Sequence, residues 1–161
     1  MIAKDNTLVA EEYFKKAYGL HVCGKIPQAI EKYKLSIKFK PTAKAHNCLG
    51  WAYGLQGRFD AAIDQCIIAT LIDPDYGNPY NDIGSYLINL GRIEEATKWL
   101  FQALNAAIYE FRYYPLYNLG RIFEMQGYWL EAINYYTEAL KINPNYSAAQ
   151  YALTRVQGNL N

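Results

Sequence analysis

The stretch Leu49-Gly50-Trp51-Ala52-Tyr53-Gly54-Leu55-Gln56-Gly57-Arg58-Phe59-Asp60-Ala61-Ala62 decides the fold, because its small residues return at fixed spacing. Gly50 precedes Ala62 by twelve residues, as Gly84 precedes Ala96 and Gly120 precedes Ala132. A second glycine lies inside each interval (Gly57, Gly91, Gly127), with Gly24 at the matching place upstream, so the pattern repeats every 33 to 36 residues. Such a period means that one supersecondary unit is stacked on copies of itself.

On either side of this stretch the units fall at 10–42, 43–76, 77–112 and 113–146, followed by a tail at 147–158, all within one domain spanning 1–161. Each reads helix, turn, helix. Leu49, Ala52 and Tyr53 recur at helical spacing until Gly57, which can supply a left-handed cap. Tyr80, Ile83, Leu87 and Leu90 do the same before Gly91, and Leu116, Leu119 and Phe123 before Gly127. Pro79 and Pro115 suit a first helical turn, which has no amide hydrogen bond to lose, and Pro41, Pro74 and Pro144 close second helices. The small residues let two helices of a unit cross closely, with Gly50, Gly84 and Gly120 expected to face Ala62, Ala96 and Ala132. The tail Ser147 to Gln157 is amphipathic, with Ala149, Leu153 and Val156 inward and Gly158 as its expected stop. It reads as a capping helix that covers the last pair.

These residues resemble the tetratricopeptide repeat, whose pattern runs through Leu-Gly, an aromatic residue, Ala, an aromatic residue, Ala and Pro. The second unit carries it in Leu49, Gly50, Tyr53, Gly57, Ala62, Ala69 and Pro74. In the fourth it lies in Leu119, Gly120, Phe123, Gly127, Ala132, Tyr136, Ala139 and Pro144. The first unit has Lys16 and Ala17 in place of Leu-Gly, as terminal units often do. The third has Ile108 in place of proline and two extra residues, so its second helix is expected to run long and the stack to distort around Tyr109 to Tyr114. The resemblance implies an all-α, right-handed α-solenoid of four tandem helix-turn-helix repeats plus the capping helix. First helices would line a concave groove that receives an extended or helical peptide.

Carried onto this chain, the resemblance puts Phe14, Lys15, Tyr18 and His21 on the groove face of the first unit. It adds Lys44, Asn47, Cys48 and Trp51, then Asn78, Asn81, Asp82 and Ser85, then Tyr114, Tyr117, Asn118 and Arg121, with Tyr151 and Arg155 extending the surface. The peptide-binding set is Tyr18, Asn47, Trp51, Asn81, Asp82, Tyr114, Tyr117, Asn118, Arg121 and Tyr151. Asn47, Asn81 and Asn118 could form a ladder of amides that grips a bound backbone, since an amide both donates and accepts. Rigid rings at Tyr18, Trp51, Tyr114, Tyr117 and Tyr151 offer contact area at small entropic cost, whereas Tyr33, Tyr53, Tyr80 and Tyr136 fall on packing positions. A partner protein or peptide is therefore expected, with a self-associating structural platform, built into a homo-oligomer through the end units or the convex face, as the alternative. Repeats that hold acidic chaperone tails share a clamp of two lysines, two asparagines and an arginine. Those positions here are Phe14, Tyr18, Cys48, Asn78 and Asp82, so a chaperone C-terminal tail is not the expected ligand.

Composition excludes further classes. Sixteen basic residues balance fifteen acidic ones, giving a net charge of +1, too little to draw nucleic acid or an anionic membrane. The charge is uneven: residues 1–44 hold nine lysines against Asp5, Glu11, Glu12 and Glu31. Cys23, Cys48 and Cys66 have neither disulfide nor zinc spacing, and the N-terminal Met1 to Asn6 has no apolar leader core. A cytoplasmic protein without cofactor, metal site or catalytic residues is expected. His21 and His46 lack an acidic or cysteine partner on their helix faces, and no phosphate loop, HExxH or GxSxG sequence occurs.

Overall fold

The repeat glycines divide two jobs between them, one set ending first helices and the other letting paired helices pack close. A computed structural model describes residues 5–160; residues 1–4, at the start of the N-terminal stretch read above, and residue 161 lie outside it. Among the described residues the elements are nine helices: α1 (Asn6–Val22), α2 (Ile26–Phe39), α3 (Ala43–Leu55), α4 (Phe59–Ile72), α5 (Asn78–Asn89), α6 (Ile93–Asn105), α7 (Tyr113–Met125), α8 (Trp129–Ile142) and α9 (Ser147–Asn159). Gly24, Gly57, Gly91 and Gly127 all adopt positive φ, between 72° and 80°, at the four turns that join a first helix to its second. A Cβ is disfavoured there, which is why the period is legible as glycine. Asp5 and Thr42 cap α1 and α3 with their side-chain oxygens.

Within a pair, close approach is set by the other glycines. A Cβ on Gly50 would lie 2.8 Å from the Cys66 sulfur, on Gly84 2.6 Å from Leu100 side-chain carbons, and on Gly120 2.5 Å from the Tyr136 ring. The expected partners Ala62 and Ala96 approach through their carbonyl oxygens, at 3.0 and 3.4 Å. The side chains that fill the space belong to residues one turn further on. The first pair uses Ala17, which is fully buried with Ala29 and Tyr33. One core cluster threads from Ala17 to Ile122, and a second joins Ala132 and Tyr136 to Ala152 and Val156 of α9. The capping helix thus buries Ala149, Ala152 and Val156, leaves Leu153 half-buried, and runs through Gly158 instead of stopping there.

Every helix packs on the next in sequence, and first helices also touch one another across units, α1 with α3, α3 with α5 and α5 with α7. Among the described residues, second helices of different units make no comparable contact, so the stack curves with its first helices inside. The third unit departs from expectation. Its second helix does not run long but ends at Asn105, and the extra residues fold back as an extended segment. Ile108 pairs with the turn after α4, its amide donating to the Asp75 carbonyl (2.9 Å) and its carbonyl accepting from Gly77 (3.0 Å). Tyr109 is buried over Gly77, where a Cβ would collide with the base of its ring. Arg112 holds the segment by donating to the carbonyls of Leu104, Ala106 and Tyr109 at 3.2, 2.6 and 2.6 Å. Three helix-end and loop acceptors are satisfied by one rigid guanidinium fork.

Candidate functional site: an aromatic cleft with a polar floor

The inner face opens into a cleft of about 1240 Å³, continuous with a smaller one of about 520 Å³. Trp51, Asn81, Asp82 and Tyr114 line both, so they mark the junction. Of the residues named from sequence, Tyr18 and Asn47 line the larger cleft and Tyr117, Asn118 and Arg121 the smaller. Tyr151 is 72% exposed on α9 and lines neither. His21 is buried instead of facing the cleft, with Trp51 packed over it at 4.1 Å between ring centres. Its Nδ1 meets the Tyr33 hydroxyl at 3.2 Å while Nε2 has no hydrogen-bond partner. Burial pushes its pKa down, which keeps the ring neutral.

The asparagine ladder exists, but its members bind each other. Asn47, Asn81 and Asn118 are only 5 to 7% exposed. Arg121 of α7 donates to the Asn118 carbonyl oxygen (3.1 Å), Asn118 donates to that of Asn81 (3.0 Å), and Asn81 donates to one Asp82 oxygen (3.4 Å). From the other side Asn47 of α3 donates to the second Asp82 oxygen (2.7 Å), and the Tyr76 hydroxyl donates to Asn47 (3.2 Å). The donor directions fix both amide orientations along the relay, which runs from a guanidinium to a carboxylate with its dipoles aligned. One amide hydrogen each remains on Asn81 and Asn118. The ladder therefore ties three first helices together and leaves little capacity to hold a partner's backbone.

Asp82 is the electrostatic centre of this floor. It is partly buried, and desolvation pushes its pKa up to about 6, against the pull of the two amide hydrogen bonds. Among the described residues no basic side chain forms an ion pair with it. Lys44, on the cleft wall, stands over the Phe14 ring at 5.3 Å, and Arg121 is engaged by Asn118. The Cys48 thiol is pushed up to about 11, chiefly by burial, so it is protonated and a poor nucleophile. No group of three or more His, Cys, Asp or Glu residues is placed to hold a metal among the described residues, and no helix there is long and apolar enough to cross a membrane.

The walls are aromatic. Trp51 and Tyr114 are 43% and 38% exposed. Tyr114 stacks into a run formed with Phe111, Tyr113 and Tyr146, with ring centres 4.4 to 6.1 Å apart, and Tyr146 in turn meets Tyr117 at 5.2 Å. Sequence reading missed Tyr76, Phe111 and Tyr146. For Tyr76 and Tyr146 a signal existed, since each stands two residues after a repeat-closing proline. Phe111 belongs to the third unit's insertion, where the period gives no register.

Such helical hairpins, stacked with first helices inward, define an α-solenoid, and comparison with known proteins gives its class. The tetratricopeptide repeat family model matches residues 78–107 and 113–146, so the third and fourth hairpins are tetratricopeptide repeats. Residues of this chain are 34% identical over 71 positions to the small glutamine-rich tetratricopeptide repeat-containing protein 2 of Mycosarcoma maydis. That alignment takes in 44% of this chain, and it spans only a fifth of the relative's length. Among solved structures, PilF of Pseudomonas aeruginosa superposes with a TM-score of 0.87 at 21% identity, over 97% of this chain and 71% of that one. PilW, a type IV pilus biogenesis factor, superposes at 0.84 with 23% identity, over 92% and 69%.

Proposed function

We propose that the chain is a non-catalytic protein-interaction module whose concave cleft receives an extended or helical segment of another polypeptide. The observation that carries this reading is the continuous inner cleft, walled by exposed Tyr18, Trp51 and Tyr114 and built only when successive first helices stack. Large rings over a rigid floor provide contact area without ordering cost, the arrangement that concentrates binding energy in few residues. The protonated Cys48 thiol and the buried, neutral His21 favour binding over covalent or acid–base chemistry. Tyr18, Trp51, Tyr114 and Tyr117 would supply contact, Asp82 polarity, and the asparagines rigidity. The unbridged Cys23, Cys48 and Cys66 fit action in the reducing cytoplasm. Fold neighbours such as PilW, a pilus biogenesis factor, accord with a part in assembling other proteins.

Exposed apolar side chains on second helices, Leu71, Phe101 and Leu130, favour one competing reading, a self-associating platform that uses the convex back. Light scattering across a concentration series separates the two. A groove binder stays monomeric at tens of micromolar without its ligand; a mass that climbs with concentration, and falls back in Leu71→Ser/Phe101→Ser, would replace the groove reading with the platform.

A further inference from the structure

The larger cleft is lined by three carboxylates, Asp73, Asp82 and Glu110, against a single ammonium, Lys44, which stands over a ring of its own. Asp73 accepts the Asp75 amide of its own turn through one oxygen, whereas both oxygens of Asp82 are held, each accepting one side-chain amide hydrogen bond. A carboxylate offers about four acceptor positions, so roughly two are unfilled at the junction of the clefts. Both of its donors are neutral amides, and Arg121 reaches it only through Asn118 and Asn81. An ionised group in that setting lacks the counter-charge that partly buried carboxylates ordinarily have. The rim at the same place is Trp51 and Tyr114, whose ring faces attract cations. Carboxylate and aromatic faces therefore favour the same kind of visitor.

Resting on the groove reading above, we propose that the cleft selects a partner polypeptide by one basic side chain, arginine or lysine, which enters the junction beside Trp51 and Tyr114 and pairs with Asp82. The amide relay then has a specific task, holding the carboxylate's position fixed so that no ordering is needed when the cation arrives. An acidic segment would be repelled by the same three carboxylates, which gives the site a preference by exclusion as well as attraction.

The test is selection of random linear peptides displayed on phage against the immobilised chain, in parallel on wild type and Asp82→Asn, with circular dichroism to show that both are folded. Wild type is expected to enrich a fixed arginine or lysine within an otherwise apolar or aromatic consensus. Replacing that residue by norleucine in a synthetic copy should weaken binding about tenfold or more on wild type and less than twofold on Asp82→Asn. Trp51→Leu supplies an independent variant that should weaken the basic peptide more than its norleucine copy. Peptides that bind the cleft with no enriched cation, or with a cation whose loss matters equally on both proteins, overturn this inference and leave the groove reading standing. No selected peptide at all, or Asp82-dependent self-association through the lysine-rich α2 of a second copy, would overturn both.

Discussion

Asp82 shows how much one residue can decide. Its folded pKa near 6 exceeds the ordinary value of 3.8, so the folded state holds a proton that the unfolded chain has released between about pH 4 and 6. Stability from this group is therefore greatest in acid and is lost as pH rises through that window. Titratable side chains that feel its charge include Cys48, Cys66, Tyr76, Tyr86, Tyr109 and Tyr114, all pushed upward, so none of them changes charge there. Buried His21 titrates with the opposite sign, but equally in wild type and variant. Denaturant unfolding from pH 4 to 7 should thus show wild type losing about 2 kcal/mol relative to Asp82→Asn, a figure already reduced for partial solvent access. A constant gap between the two would mean an unperturbed carboxylate. Sequence alone places Asp82 in the groove set beside Asn81. That the amides are hydrogen-bonded to it depends on side-chain directions in three different helices, which no spacing encodes.

At the scale of the element, the glycines were legible because each answers a local demand. Gly84 lies against fully buried Leu100, which has nowhere to move. Gly84→Ala should therefore destabilise the chain by about 1–3 kcal/mol in chemical unfolding, a cost of overpacking. Gly57 meets no neighbour but holds φ at 72°, so Gly57→Ala should lose about 1 kcal/mol through backbone strain alone. Finding the larger loss at Gly57 would reverse this assignment of causes. The third unit was not legible, because two added residues break the period and the energy goes into contacts distant in sequence. Nothing local marks Ile108 as a partner for the turn at Asp75, or Arg112 as the clasp of three carbonyls. Arg112→Ala should leave these acceptors unsatisfied, and hydrogen exchange at the Ile108 and Gly77 amides should accelerate at least tenfold while α1 to α3 are unchanged. Uniform exchange would mean that the segment is held by Tyr109 packing alone.

For the whole molecule, stability passes from neighbour to neighbour, and the end must be covered. Ala132 and Tyr136 of α8 share their cluster with Ala152 and Val156, and Arg155 of α9 pairs with Glu124 of α7 at 2.8 Å. Truncation after Tyr146 exposes that cluster and should produce concentration-dependent aggregation in light scattering, whereas removing only Asn159 to Asn161 should not. The same stacking makes the cleft, since no single hairpin brings Trp51 of α3, Asp82 of α5 and Tyr114 of α7 to one place. Site-specific photocrosslinking in living cells tests most directly whether partners enter there, with a photoreactive phenylalanine analogue placed at Tyr18 or Ser85 inside the curve and at Leu71 on its back. The concave positions should each yield the same covalent adduct with another protein, and Leu71 none. Adducts formed only at Leu71, or only between copies of this chain, would contradict the account.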